Sequence, residues 1–108
     1  MEAIGSVGRI VTVMDDYTVL PTDRIILLNV CQDFTVTLPN PAACPGYWYS
    51  LYDMINLDPA DEVTISIADA GAFVRPAGLT ATIQLNAAGA HLQVFSADAA
   101  WYVISEAT

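Results

Sequence analysis

The chain is expected to be all-β: a compact single-domain β-sandwich, barrel or prism of short, mostly antiparallel strands. Three observations predict this. Phe34-Thr35-Val36-Thr37-Leu38 alternates apolar and polar residues, the period-2 signature of a strand with one buried and one wet face. Comparable runs recur roughly every 8–12 residues with turn residues between them. No segment carries the i, i+3, i+4, i+7 stripe of an amphipathic helix.

The elements follow in order. Residues 1–16 read as an N-terminal arm and first strand, a possible docking segment, and residues 17–108 as the β-domain. Gly5, Ser6 and Gly8 make the arm small and pliable, and Arg9–Met14 is the first strand. Asp15-Asp16 is a turn, and Tyr17–Leu20 is a short strand ended by Pro21. Arg24–Val30 is apolar on both faces, which predicts a central strand with one face on the core and the other on a second subunit. The three-residue link Cys31–Asp33 makes Arg24–Val30 and Phe34–Leu38 an expected hairpin. Pro39 has no amide hydrogen and stops the second arm. Cys44-Pro45-Gly46 turns the chain into an aromatic strand, Tyr47–Met54. Glu62–Ile67, Ala72–Arg75, Thr80–Leu85, Ala90–Ser96 and Ala100–Ser105 complete the strands, separated by turns rich in Asp, Asn, Pro and Gly.

Of the 108 residues, 55% are hydrophobic and 14% charged, against roughly 45–50% and about 25% in an average globular chain. Such a surplus of apolar surface predicts burial in an obligate homo-oligomer. The cations are Arg9, Arg24 and Arg75, and the net charge is −9. That balance excludes phosphate-based nucleic-acid binding and disfavours an anionic membrane surface. No apolar run reaches the ~20 residues of a spanning helix, and Met1–Gly5 lacks the basic and apolar regions of a secretory signal. Cys31 and Cys44 are expected to be free thiols in a reducing compartment.

Catalytic chemistry is not written in this sequence. The single histidine, His91, lies in an expected strand beside Gln93. Gly5-Ser6-Val7-Gly8 is neither a nucleophile elbow nor a phosphate loop. Asp15-Asp16 and Asp61-Glu62 read as solvated turn acids, without the spaced pattern of a calcium loop. No enzyme, cofactor or metal site is expected. Tyr47, Trp48, Tyr49 and Tyr52 read as core on one face and interface on the other, with stacking on sugars left open.

The order of these strands resembles a small β-module of bacteriophage structural proteins. The residues that carry the likeness are Tyr17-Thr18-Val19, Asp23, Ile25-Ile26-Leu27, Val36-Thr37-Leu38-Pro39 and Pro45-Gly46. Val63-Thr64-Ile65, Gly71, Thr82-Ile83-Gln84-Leu85, Asp98 and Trp101-Tyr102-Val103-Ile104 continue it. The likeness covers about residues 17–104; Leu51-Tyr52-Asp53 departs from it, lacking the lysine usual in that strand. Such modules occur in capsid-decorating, head-fibre and tail-fibre proteins and tend to form trimers. The resemblance implies a non-enzymatic virion protein, a trimeric capsid decoration (cement) protein bound to the major capsid protein on the outer capsid surface and assembled in the host cytoplasm. The alternative it leaves open is a receptor- or glycan-binding tip module of a fibre. A chain of this length suits a cement protein better than a fibre with a shaft. On this reading Ile4, Val7, Arg9 and Ile10 are candidates for capsid docking. Ile25, Leu27, Trp48 and Tyr52 are candidates for the protomer interface. Phe34, Val36, Leu38, Val63, Ile65, Ile83 and Leu85 are expected in the core.

Overall fold

Consecutive strands in the first half of the chain alternate between two sheets. The computed structural model describes residues 8–58 and 60–107. Its strands are β1 (Arg9–Val13), β2 (Tyr17–Thr18), β3 (Asp23–Val30), β4 (Phe34–Leu38), β5 (Trp48–Asn56), β6 (Val63–Ile67), β7 (Phe73–Arg75), β8 (Gly78–Thr80), β9 (Ile83–Leu85), β10 (His91–Ala97) and β11 (Ala100–Ala107). The larger sheet runs β1-β3-β5-β10-β11-β7-β8 and the smaller β2-β4-β6-β9. Strands β1 to β6 therefore wind as a flat coil of three turns, with odd strands in one layer and even strands in the other. The ladders of this coil are all parallel. The second half adds β10 antiparallel to β5 and β11, β7 parallel to β11, and antiparallel β8 and β9 at the sheet edges.

Two expectations are corrected here. The strands are not mostly antiparallel: five of the nine ladders are parallel. The hairpin of residues 24–30 with 34–38 does not form, because β3 and β4 lie in opposite sheets. Val30 and Phe34 are both buried in one core, so Cys31–Asp33 turns a corner between layers instead of reversing within one. The run Thr80–Leu85 also divides, with β8 in the larger sheet and β9 in the smaller.

Side-chain oxygens hold successive turns of the coil together. Asp16 Oδ1 accepts the amide of Thr35 at 2.9 Å, and Asp33 Oδ1 accepts the amide of Glu62 at 2.8 Å. These are corresponding corners, one turn apart. On the outside of the smaller sheet, Thr37 Oγ1 meets Ser66 Oγ at 3.3 Å.

The core lies between the layers. Ile26, Leu28, Tyr49, Leu51, Leu92, Val94 and Trp101 face it from the larger sheet, and Phe34, Val36, Leu38, Val63, Ile65, Ile83 and Leu85 from the smaller. Trp101 is its largest buried side chain. Its ring lies 5.3 Å from that of Tyr49 at 55°, and its Nε1–H donates to Pro39 O at 3.0 Å. Tyr49 donates its hydroxyl to Leu20 O at 3.2 Å, and burial pushes its pKa up to about 12. Cys31 is exposed and Cys44 buried, and they are not bonded to each other.

Candidate functional site

The outer faces of the two sheets have opposite chemistry. Along β4 and β6, Phe34, Val36, Leu38, Val63, Ile65 and Ile67 point inward, so the alternation turns Thr35, Thr37, Thr64 and Ser66 outward. In register beside them stand Thr18 and Gln84. That face is a polar hydroxyl surface, as expected for a sheet facing water.

The larger sheet presents a different outer face. Among the described residues eleven large apolar side chains are exposed, and eight of them (Ile10, Trp48, Tyr52, Met54, Ile55, Leu79, Phe95, Ile104) belong to its strands. The other three, Met14, Leu20 and Leu57, lie in links. Strand register builds rows from these residues. Trp48 stands beside Phe95, Phe95 beside Tyr102, Tyr102 beside Val74 and Val74 beside Leu79. Thr12, Leu27, Tyr52 and His91 make a second row, and Ile10, Ile25, Ser50, Gln93 and Ser105 a third. The rings of Phe95 and Tyr102 stack on each other at 5.4 Å and 17°. Ile104 sits at the bulge between the Gln93–Ser105 and Val94–Val103 pairs and is 60% exposed. Leu79, near the far edge, is 74% exposed.

No described carboxylate stands on this face. Asp23 and Asp53 are buried, and Glu106 pairs across from inward-facing Leu92. The remaining described acids occupy turns and links. Glu106 meets Arg75 at 2.8 Å through both carboxylate oxygens, beside an open cleft of about 300 Å³ that Glu62, Thr82, Gln84 and Asn86 also line.

Arginines frame the opposite margin. The Arg24 guanidinium lies 5.0, 5.9 and 5.7 Å from the ring centres of Tyr47, Trp48 and Tyr49, within cation–π range. Arg9 Nε donates to Asp23 Oδ1 at 2.9 Å, while Tyr17 OH and Leu20 N–H donate to Oδ2 at 2.6 and 2.9 Å. Burial pushes the Asp23 carboxyl up, but these donors outweigh it and hold the group below the usual carboxylate range. Asp23 thus enters the fold ionised and fastens β1 and β2 to β3.

The structure distributes the residues singled out by sequence as follows. Ile25, Leu27, Trp48 and Tyr52 all stand on the outer face of the larger sheet. Ile10 pairs with Ile25 at the edge of that same face, so docking and interface candidates share one surface. Arg9 is tied to Asp23, and Ile4 and Val7 lie outside the described residues. Phe34, Val36, Leu38, Val63, Ile65, Ile83 and Leu85 are buried. Sequence reasoning missed Phe95, Tyr102, Val74 and Leu79. The alternation of Leu92 and Val94 with Gln93 and Phe95 carried the signal, because it turns an aromatic ring away from the core.

His91 Nε2 lies 3.0 Å from Ser105 Oγ, but no described carboxylate hydrogen-bonds to His91 to orient it as a base, as in a catalytic triad. Among the described residues no group of three or more His, Cys, Asp or Glu side chains could hold a metal. No family model, no curated protein and no solved structure matches this chain.

Proposed function

We propose that this chain is a non-enzymatic virion structural protein, a homotrimeric capsid decoration (cement) protein that binds the major capsid protein at the outer capsid surface and stabilises the shell. The observation that carries the reading is the apolar outer face of the larger sheet, free of carboxylates among the described residues, on a chain of net charge −9. A sheet facing water would present the alternation seen on the smaller sheet. Exposed apolar area on this scale instead suits association. The order of strand motifs from Tyr17 to Ile104 supplies the virion context. The protein would assemble in the host cytoplasm, with no part for nucleic acid or membrane.

The test compares particles assembled with and without this chain. The reading expects the chain in a low-resolution map on the outside of the shell, and expects shells lacking it to break at lower temperature. Particles that never carry the polypeptide, or that are equally robust without it, overturn it. A second reading, a receptor- or glycan-binding module of a fibre, is favoured by the half-exposed Trp48 at the end of the aromatic row, since an exposed indole suits stacking on a sugar. Glycan-array binding abolished by Trp48→Ala would select it.

A further inference from the structure

We infer that the aromatic row Trp48–Phe95–Tyr102–Val74–Leu79 is the seam through which copies of this chain pack about the three-fold axis of the trimer. The inference deepens the reading of the outer face as an assembly surface, and rests on it, by naming the occupant.

Charge selects that occupant. A chain carrying −9 repels its own copies, and the described acids on the turns would oppose one another in most approaches. The outer face of the larger sheet brings no described carboxylate against another. A basic partner would find no described acid on this face to complement, and an anionic surface would meet only Arg24 at its margin and Arg9 already paired with Asp23. A neutral apolar face is complementary to itself.

Size agrees. Seven strands at about 4.8 Å spacing, each with about five residues at ~3.3 Å, give a face of about 29 by 17 Å, on the order of 500 Å² in projection. Accessible area exceeds projected area on a pleated surface, so this approaches the ~800 Å² per partner of a stable interface.

The chain supplies its own probe. Trp101 is fully buried, while Trp48 is 44% exposed and would be covered in the assembly. Wild-type protein, Leu79→Glu, Phe95→Ser and the opposite-face control Thr37→Glu would be followed by sedimentation velocity from 1 to 100 μM, with acrylamide quenching of tryptophan fluorescence. Leu79 is too exposed for its substitution to threaten folding, and circular dichroism checks each variant. The expected result is a wild-type oligomer in which Trp48 is shielded. Leu79→Glu and Phe95→Ser should weaken association at least tenfold and expose Trp48, while Thr37→Glu associates normally. A wild-type monomer at 100 μM, shielding of Trp48 by added oligosaccharide alone, or unchanged association of both row variants would overturn the inference. A monomer that nevertheless decorates shells defeats the inference and the trimer, and leaves the shell-decorating role standing. An oligomer that no particle carries does the reverse.

Discussion

Asp33 and Glu62, twenty-nine residues apart, are joined by a 2.8 Å hydrogen bond from the Glu62 amide to Asp33 Oδ1. The bond stitches the corner before β4 to the corner before β6. Asp16 and Thr35 repeat it one turn earlier. These exposed acids resemble helix N-caps in what they do: each satisfies a backbone donor at the point where a strand begins. Asp33→Ala is therefore expected to cost about 1 kcal/mol, while Asp33→Asn, which keeps an acceptor oxygen, should cost less. Urea unfolding checks this, as a lower midpoint at unchanged slope.

Asp53 is the least comfortable group in the fold. It is buried, and its one side-chain partner is Asn56 Nδ2–H, which donates to Oδ2 at 3.0 Å. Oδ1 of Asp53 and Oδ1 of Asn56 are both buried without a donor among the described residues. Burial raises the Asp53 pKa, and the Asn56 bond offsets this only in part. The folded value thus lies above the ~3.9 of an unfolded chain. Its contribution to stability is complete below that unfolded value and is lost as pH rises through the folded one. Asp53→Asn removes the titration and supplies a donor in the same volume. The variant should be more stable at pH 7, by about 1 kcal/mol or more, and this part of the pH dependence should vanish. Thermal melts from pH 4 to 8 check both points.

The turn joining β10 to β11 stores strain that a single substitution releases. Asp98 and Ala99 have φ of 51° and 61°, and Ala97 pairs with Ala100, the geometry of a two-residue type I′ hairpin. Asp suits the first position; alanine at the second places a Cβ where the left-handed conformation crowds it. Ala99→Gly should stabilise the protein by about 0.5–1 kcal/mol, the steric relief outweighing the entropy cost of glycine. A melting temperature a few degrees higher checks it.

Strands were legible in the sequence where one face is wet. Phe34–Leu38 and Val63–Ile67 announced themselves by alternation, as did the inward set Phe34, Val36, Leu38, Val63 and Ile65. Pairing was not legible. Cys31–Asp33 has the length of a hairpin link, and nothing in three residues distinguishes an in-plane reversal from a corner between layers. The coil was hidden because its turns differ in length: Tyr17 pairs with Val36, nineteen residues on, and Phe34 with Val63, twenty-nine on. The inserted segment from Asn40 to Tyr47 breaks any fixed period. In the two-faced run Arg24–Val30, Ile25 and Leu27 stand on the outer face of the larger sheet. The row through Phe95 and Tyr102 exists only once the register of four further strands is known.

The most direct test of the account contrasts one residue from each side of the fold, Leu27 and Val36. Leu27 stands on the outer face of the larger sheet, whereas Val36 is fully buried, where an unpaired carboxylate costs several kcal/mol. Val36→Asp should fail to fold. The deciding measurement is the molar mass of Leu27→Asp by light scattering, beside that of the wild type at equal concentration. The account predicts a trimeric wild type, and a Leu27→Asp protein of unchanged circular dichroism whose mass falls toward that of the monomer and which melts at a lower temperature. A wild-type monomer, or a Leu27→Asp trimer as stable as the wild type, would contradict it.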